Sequence, residues 1–170
     1  LGLALEDVFN LYEAFEEKPD KELMEGLNIL IDKRVLNIMQ FEKYDTYINF
    51  YKKLEWNKLN VTLTLDNCEK NTDVSKLGTV HTLEIIKNRN ITDVSNLGTV
   101  HTLTLNNCYN ITDVSKLGTV HTLTLDNCYN ITDVSNLGNV YTLELYCCDN
   151  ITDVSNLGTV HTLTINWNDN

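Results

Sequence analysis

A block of 20 residues, close to VHTLTLNNCYNITDVSNLGT, recurs from Asn60 to the end of the chain, with copies opening at Asn60, Val80, Val100, Val120, Val140 and Val160. One such block is too short to bury an apolar face of its own, so the copies must stack. In the third copy the apolar set is Val100, Leu103, Leu105, Cys108, Ile111, Val114 and Leu117. The alternation in HTLTLNN puts Leu103 and Leu105 on one face and Thr102, Thr104 and Asn106 on the other, the pattern of a half-buried strand. Neighbouring copies then pair in parallel, roughly 4.8 Å apart. Leu105 and Leu125 are expected to be fully buried. Asp113 stands where it can cap a short helical turn by accepting amide hydrogen bonds. Gly118 is expected to take a positive φ where that turn ends.

The spacing Val-x-x-Leu-x-Leu-x-x-Cys-x-x-Ile resembles the leucine-rich repeat, and the tail ITDVSxLG is similar to the internalin type. The resemblance covers about two thirds of the chain. It implies an α/β solenoid with a parallel β-sheet and short 3-10 turns, because so short a block leaves no room for a full helix. It also implies a non-catalytic scaffold that binds another protein through its strand face. Near-identical copies of NITDVSxLGTVHTL resemble repeat proteins of large DNA viruses of amoebae, which would place the protein inside a host cell.

Residues 1–58 lack the Thr-Leu-Thr pattern and divide from a repeat region spanning 59–170. Leu5, Val8, Leu11 and Phe15 share a helical face, and Lys18-Pro19-Asp20 ends it. Further stripes run through Leu23, Leu27, Leu30 and Ile31, and through Phe41, Tyr44, Ile48, Tyr51 and Leu54. The expectation is three to four helices forming an N-terminal cap over the first coil. LALEDVFNLYEAF also resembles the second half of an F-box, which implies an alternative role as a substrate-recruiting ubiquitin-ligase subunit; the usual opening Leu-Pro pair is absent. Without an initiator Met, and with the last copy halting at Asn170, the chain reads as a fragment or a processed product.

The net charge of −11, from 24 acids and 13 Lys and Arg, argues against nucleic-acid or anionic-membrane binding. No apolar run is long enough to span a bilayer, and no signal peptide is visible. Cys68, Cys108, Cys128 and Cys148 share an inward slot and Cys147 an outward one; an odd set of free thiols suits a reducing, intracellular compartment. The sequons at Asn60, Asn90, Asn110, Asn130 and Asn150 read as unmodified turn residues, since four would stack too closely for a glycan on each.

Several rows imitate chemistry. His81, His101, His121 and His161, with Tyr141 interrupting, suggest metal binding or pH sensing, but duplicated surface positions account for them more simply. Asp73, Asp93, Asp113, Asp133 and Asp153 lack the Gly-rich calcium nonapeptide, so capping is favoured. The Cys row offers one ligand per coil with no companion, which is not a zinc site. Ser, His and Asp fall on separate corners of every copy, so no triad forms and no enzyme is expected. No cofactor fingerprint is present. The Thr-Leu-Thr pairs resemble ice-binding arrays, but Glu84 and Glu144 interrupt them.

The copies differ from one another at slots five, seven, eight and ten. There stand Glu84, Ile86, Lys87 and Arg89 in one copy and Glu144, Tyr146, Cys147 and Asp149 in another, with Tyr109, Tyr129 and Trp167 nearby. Exposed apolar and aromatic residues amid charges have the composition of a protein-binding patch. The last strand, Thr162 to Trp167, has no following turn to cover it, so a homodimer through that edge, or a structural, self-assembling repeat, is a further expectation.

Overall fold

The computed structural model describes residues 38–41, 60–67 and 73–167. Seven parallel strands form one sheet in chain order: β1 (Ile38–Phe41), β2 (Asn60–Asp66), β3 (Thr82–Ile86), β4 (Thr102–Asn106), β5 (Thr122–Asp126), β6 (Thr142–Tyr146) and β7 (Thr162–Asn166). From β2 to β6 each strand is followed by a 3-10 turn, as at Val74–Thr79, Ser95–Leu97 and Ser115–Leu117, before the next strand begins. This is the expected repeat-like α/β arrangement, one strand and one tight turn per repeat. Each residue pairs with its counterpart one period on, Leu103 with Leu123 and Leu123 with Leu143. The first pair alone departs from the period, Ile38 facing Asn60.

The pleat decides which residues are inside. Along β3 to β6 the second and fourth residues are buried and the others half-buried. Leu105 and Leu125 have no exposure, and Cys108, Cys128, Cys148, Ile111 and Ile131 fill the core behind them. The Cys thiols also donate to the preceding coil, Cys108 Sγ to the Ile85 carbonyl at 3.4 Å and Cys128 Sγ to that of Leu105 at 3.4 Å. Asn88 takes this slot in β3's coil; its side-chain oxygen accepts from the amides of Asn90 and Ile91, both at 2.8 Å.

Two local expectations need correction. Gly118 does not have a positive φ: it lies at −62° in the right-handed helical region, and among the described residues no glycine has a positive φ. The positive φ values fall instead just after the strands, at Asn67, Lys87, Asn107, Asn127 and Cys147. Glycine is needed for space. A Cβ on Gly138 would stand 2.6 Å from the Asn156 carbonyl oxygen of the next coil, and one on Gly118 would strike that of Asn136. The Asp row does serve the turns, each carboxylate accepting the Ser amide two residues on, as Asp113 does from Ser115 at 2.8 Å. In the Asp93 to Asp153 coils, however, the residue flanking the 3-10 turn is the intervening Val.

The helical reading of 1–58, including the F-box-like LALEDVFNLYEAF, lies outside the described residues apart from 38–41. Those four form β1, so Phe41 closes a strand rather than opening a helical stripe. Cys68 also lies outside the described residues.

Two substitutions test the stacking. Leu125→Ala removes a side chain held by coils on both sides and should cost about 2–5 kcal/mol in chemical denaturation. Gly138→Ala should destabilise by about 1–3 kcal/mol through the carbonyl clash. Gly158→Ala, with nothing within 4 Å of the new methyl and φ −62°, should be neutral or stabilising by about 0.4–1 kcal/mol. Equal effects at Gly138 and Gly158 would contradict the coil-on-coil contact.

Candidate functional site

Because inward slots are filled by the core, chemistry is left to the sheet's outward face and its two rims. The face consists of the third, fifth and seventh slots of each coil, turned outward by the pleat. Among the 18 outward places from Thr62 to Asn166, Thr occupies ten, four are acidic (Asp66, Glu84, Asp126 and Glu144), and none is basic. Neighbouring coils fasten these side chains. Thr64 donates to Glu84 at 3.2 Å, Thr124 donates to Glu144 at 3.0 Å, and Asn106 Nδ2 donates to Asp126 at 2.6 Å.

At the start of the strands, His81, His101, His121, Tyr141 and His161 form one continuous stack. Successive ring centroids are 4.6, 4.5, 4.8 and 4.3 Å apart, with planes inclined by 10–21°. In-plane nitrogens of nearly parallel rings aim side by side, whereas a metal needs them to converge on one point at about 2.0–2.1 Å. Although His101 is exposed, desolvation in the stack, followed by the neighbouring His81 and His121, holds its pKa below the usual 6.5. Tyr141, at 46% exposed, is the most open large hydrophobic side chain among the described residues.

At the strand exits a second row forms. Tyr109 and Tyr129 stack with centroids 5.8 Å apart and planes 3° from parallel, and the Arg89 guanidinium lies 5.5 Å from the Tyr109 centroid. Each phenol is pinned to its own coil, Tyr109 Oη donating to Asn107 and Tyr129 Oη to Asn127, both at 2.6 Å. Asp149 occupies the next place in this row and is exposed. Three sequon Asn side chains are engaged on this rim, Asn110, Asn130 and Asn150 donating at 2.6 Å to the carbonyls of Arg89, Tyr109 and Tyr129 in turn.

The residues singled out in the sequence therefore separate into groups. Arg89, Tyr109, Tyr129 and Asp149 share the exit rim. Glu84 with Ile86, and Glu144 with Tyr146, lie on the face three strands apart. Lys87 sits at the rim with φ 51°, and Cys147 occupies the same slot with φ 50°. Trp167, 36% exposed, stands past the end of β7. The His–Tyr stack is visible in the sequence only as copied surface positions; that rings in one slot of parallel coils must stack is the missing step.

No family model matches the chain, and no match was found among curated proteins or solved structures. Among the described residues, no group of three or more His, Cys, Asp and Glu is arranged to hold a metal ion, and no helix is long and apolar enough to cross a membrane.

The rows make acid sensitivity and thiol reactivity predictable. A folded His101 pKa below 6.5 means the unfolded chain binds more protons there, so stability is full above that value and falls as pH drops through it. Asp93, Asp113, Asp133 and Asp153, held below 3.8 by the Ser amides and then the Ser hydroxyls, add a second loss in the same direction at lower pH. Denaturation midpoints should drop between about pH 7.5 and about pH 5.5, and His101→Gln should blunt that drop; a flat profile would contradict it. Burial pushes the Cys128 thiol up to about 12 and raises Cys148 as well. A thiol reagent on the native protein should modify half-buried Cys147 first and leave Cys108, Cys128 and Cys148 unlabelled until unfolding, as mapped by peptide mass spectrometry. Fast labelling of all four would refute the inward row.

Proposed function

We propose that the protein is a leucine-rich-repeat-type solenoid scaffold, without catalysis, that binds another protein through its strand face and exit rim. One observation carries the reading: inward slots hold nearly the same residues in every coil, while of the outward and rim slots the fifth, seventh, eighth and tenth change from coil to coil in charge, size and polarity, the third staying Thr throughout. A rigid core that repeats, under a surface that varies, suits recognition. The fastened carboxylates and pinned tyrosines support it further, since side chains already held in place lose little freedom on binding. Intracellular residence fits the buried thiols and sequon amides that are spent on carbonyls of the preceding coil.

A specific observation favours a second reading, self-association through the last coil. Leu163 is 39% exposed where its counterpart Leu103 has no exposure, and Val154, Val160 and Ile165 are only partly covered. An open edge of this kind pairs readily. Light scattering would then report a dimer that Ile165→Lys converts to monomer.

The primary reading is tested by affinity capture from the cell that makes the protein, using the full chain and two variants as bait. A captured protein should be lost at least about tenfold with Thr104→Lys/Thr124→Lys on the outward face and retained with Asn136→Lys on the exposed turn side. Retention by the face variant and loss by the turn variant would reject it.

A further inference from the structure

The core repeats every strand, but the face repeats every three. Slots five and seven read Thr64 and Asp66, Glu84 and Ile86, Thr104 and Asn106, then Thr124 and Asp126, Glu144 and Tyr146, Thr164 and Asn166. A Thr–Asp strand, a Glu–apolar strand and a Thr–Asn strand thus occur twice in the same order. Slot eight, with Asn67, Lys87, Asn107, Asn127 and Cys147, does not follow this rhythm, and neither does slot ten, with Arg89, Tyr109, Tyr129 and Asp149. Duplication of a three-coil unit would have carried every slot along. The recurrence is confined to the side chains that meet solvent from the sheet.

Register turns the rhythm into two like subsites. Asp66 pairs opposite Ile86 while Thr64 pairs opposite Glu84; Asp126 pairs opposite Tyr146 while Thr124 pairs opposite Glu144. In each, two carboxylates flank one apolar side chain, and the Glu is held by the Thr of the preceding strand. A Lys or Arg fits this chemistry: its aliphatic stem lies on Ile86 or Tyr146 while its cationic head reaches the carboxylates. With no basic residue on the face and a net charge of −11, a second copy of this chain is a poor occupant.

We propose that the strand face holds an extended basic segment of the partner, running across the strands, with one Lys or Arg in each subsite. Three strand spacings are about 14 Å, and an extended chain covers that distance in about four residues. The cations should therefore recur at every fourth position. This rests on the strand-face reading above and specifies its partner.

The probe is a fluorescein-labelled Gly-Ser peptide carrying two Lys four residues apart, titrated with the full chain by fluorescence anisotropy at low salt. It should bind about tenfold tighter than a one-Lys peptide or one with adjacent Lys residues, because the second subsite is filled at high local concentration. The advantage should shrink as salt rises. Glu84→Gln/Glu144→Gln, with an unchanged circular dichroism spectrum, should abolish it. Absence of binding, affinity indifferent to Lys spacing, or affinity unmoved by the Gln pair would each overturn the inference. If the peptide fails while Thr104→Lys/Thr124→Lys still loses a captured protein, the face reading survives and only the basic segment falls; if that variant also keeps its partner, both fall.

Discussion

Parallel pairing at a constant offset of one repeat is the constraint on which everything else in this structure depends. A single coil has too little apolar surface to close on itself, and its strand has no partner within the coil. Both deficits are met only by the next coil in the same register. Contacts outside the strands tie the same neighbours together, with Thr99 and Thr119 donating at 2.7 Å to the carbonyls of Gly78 and Gly98 one coil earlier. Slipping a strand by one residue would exchange its buried Leu pair for Thr and acids, so the register is tightly specified.

The same constraint sets like against like. Each slot becomes a row, so His meets His, Asp meets Asp and thiol meets thiol. In each row the chain avoids adjacent charges or compensates them. Imidazoles stack and His101 resists protonation, thiols stay neutral through burial, and each Asp is offset by hydrogen bonds from its own Ser. On the sheet face, Glu and Asp never occupy the same slot in neighbouring coils. The acids are instead spread into two pairs, on β2 with β3 and on β5 with β6, with the neutral face of β4 between them, and the proposed basic segment relies on that spacing.

Most of the fold is legible in the sequence because the period is a covalent fact. Alternation in HTLTLNN points to the inward Leu pair, and the shortness of the block excludes a full helix. The glycine misleads because a positive φ and a lack of space both select Gly, and only the neighbouring coil's carbonyl tells them apart. The Asn at 67, 107 and 127 carries the signal for the left-handed positions, since Asn tolerates that region better than most residues. β1 escapes the sequence reading because its pairing falls outside the period and its four residues carry no Thr-Leu-Thr pattern. Of the candidate site, the varying slots are readable one by one. Their grouping into a face and a rim, and the three-strand rhythm, need the slots to be laid side by side in register.

Hydrogen exchange resolved to single amides tests the stacked-coil account most directly. Backbone amides of Leu103 to Asn106 and Leu123 to Asp126, with ladders on both sides, should exchange slowest, and protection should decline through β6 to β7. The amides of Lys87, Asn107, Asn127 and Cys147, which donate to the following coil at 2.8–2.9 Å, should share the protection of the strands they follow. Protection uniform from β3 to β7, or weakest in the central strands, would contradict it.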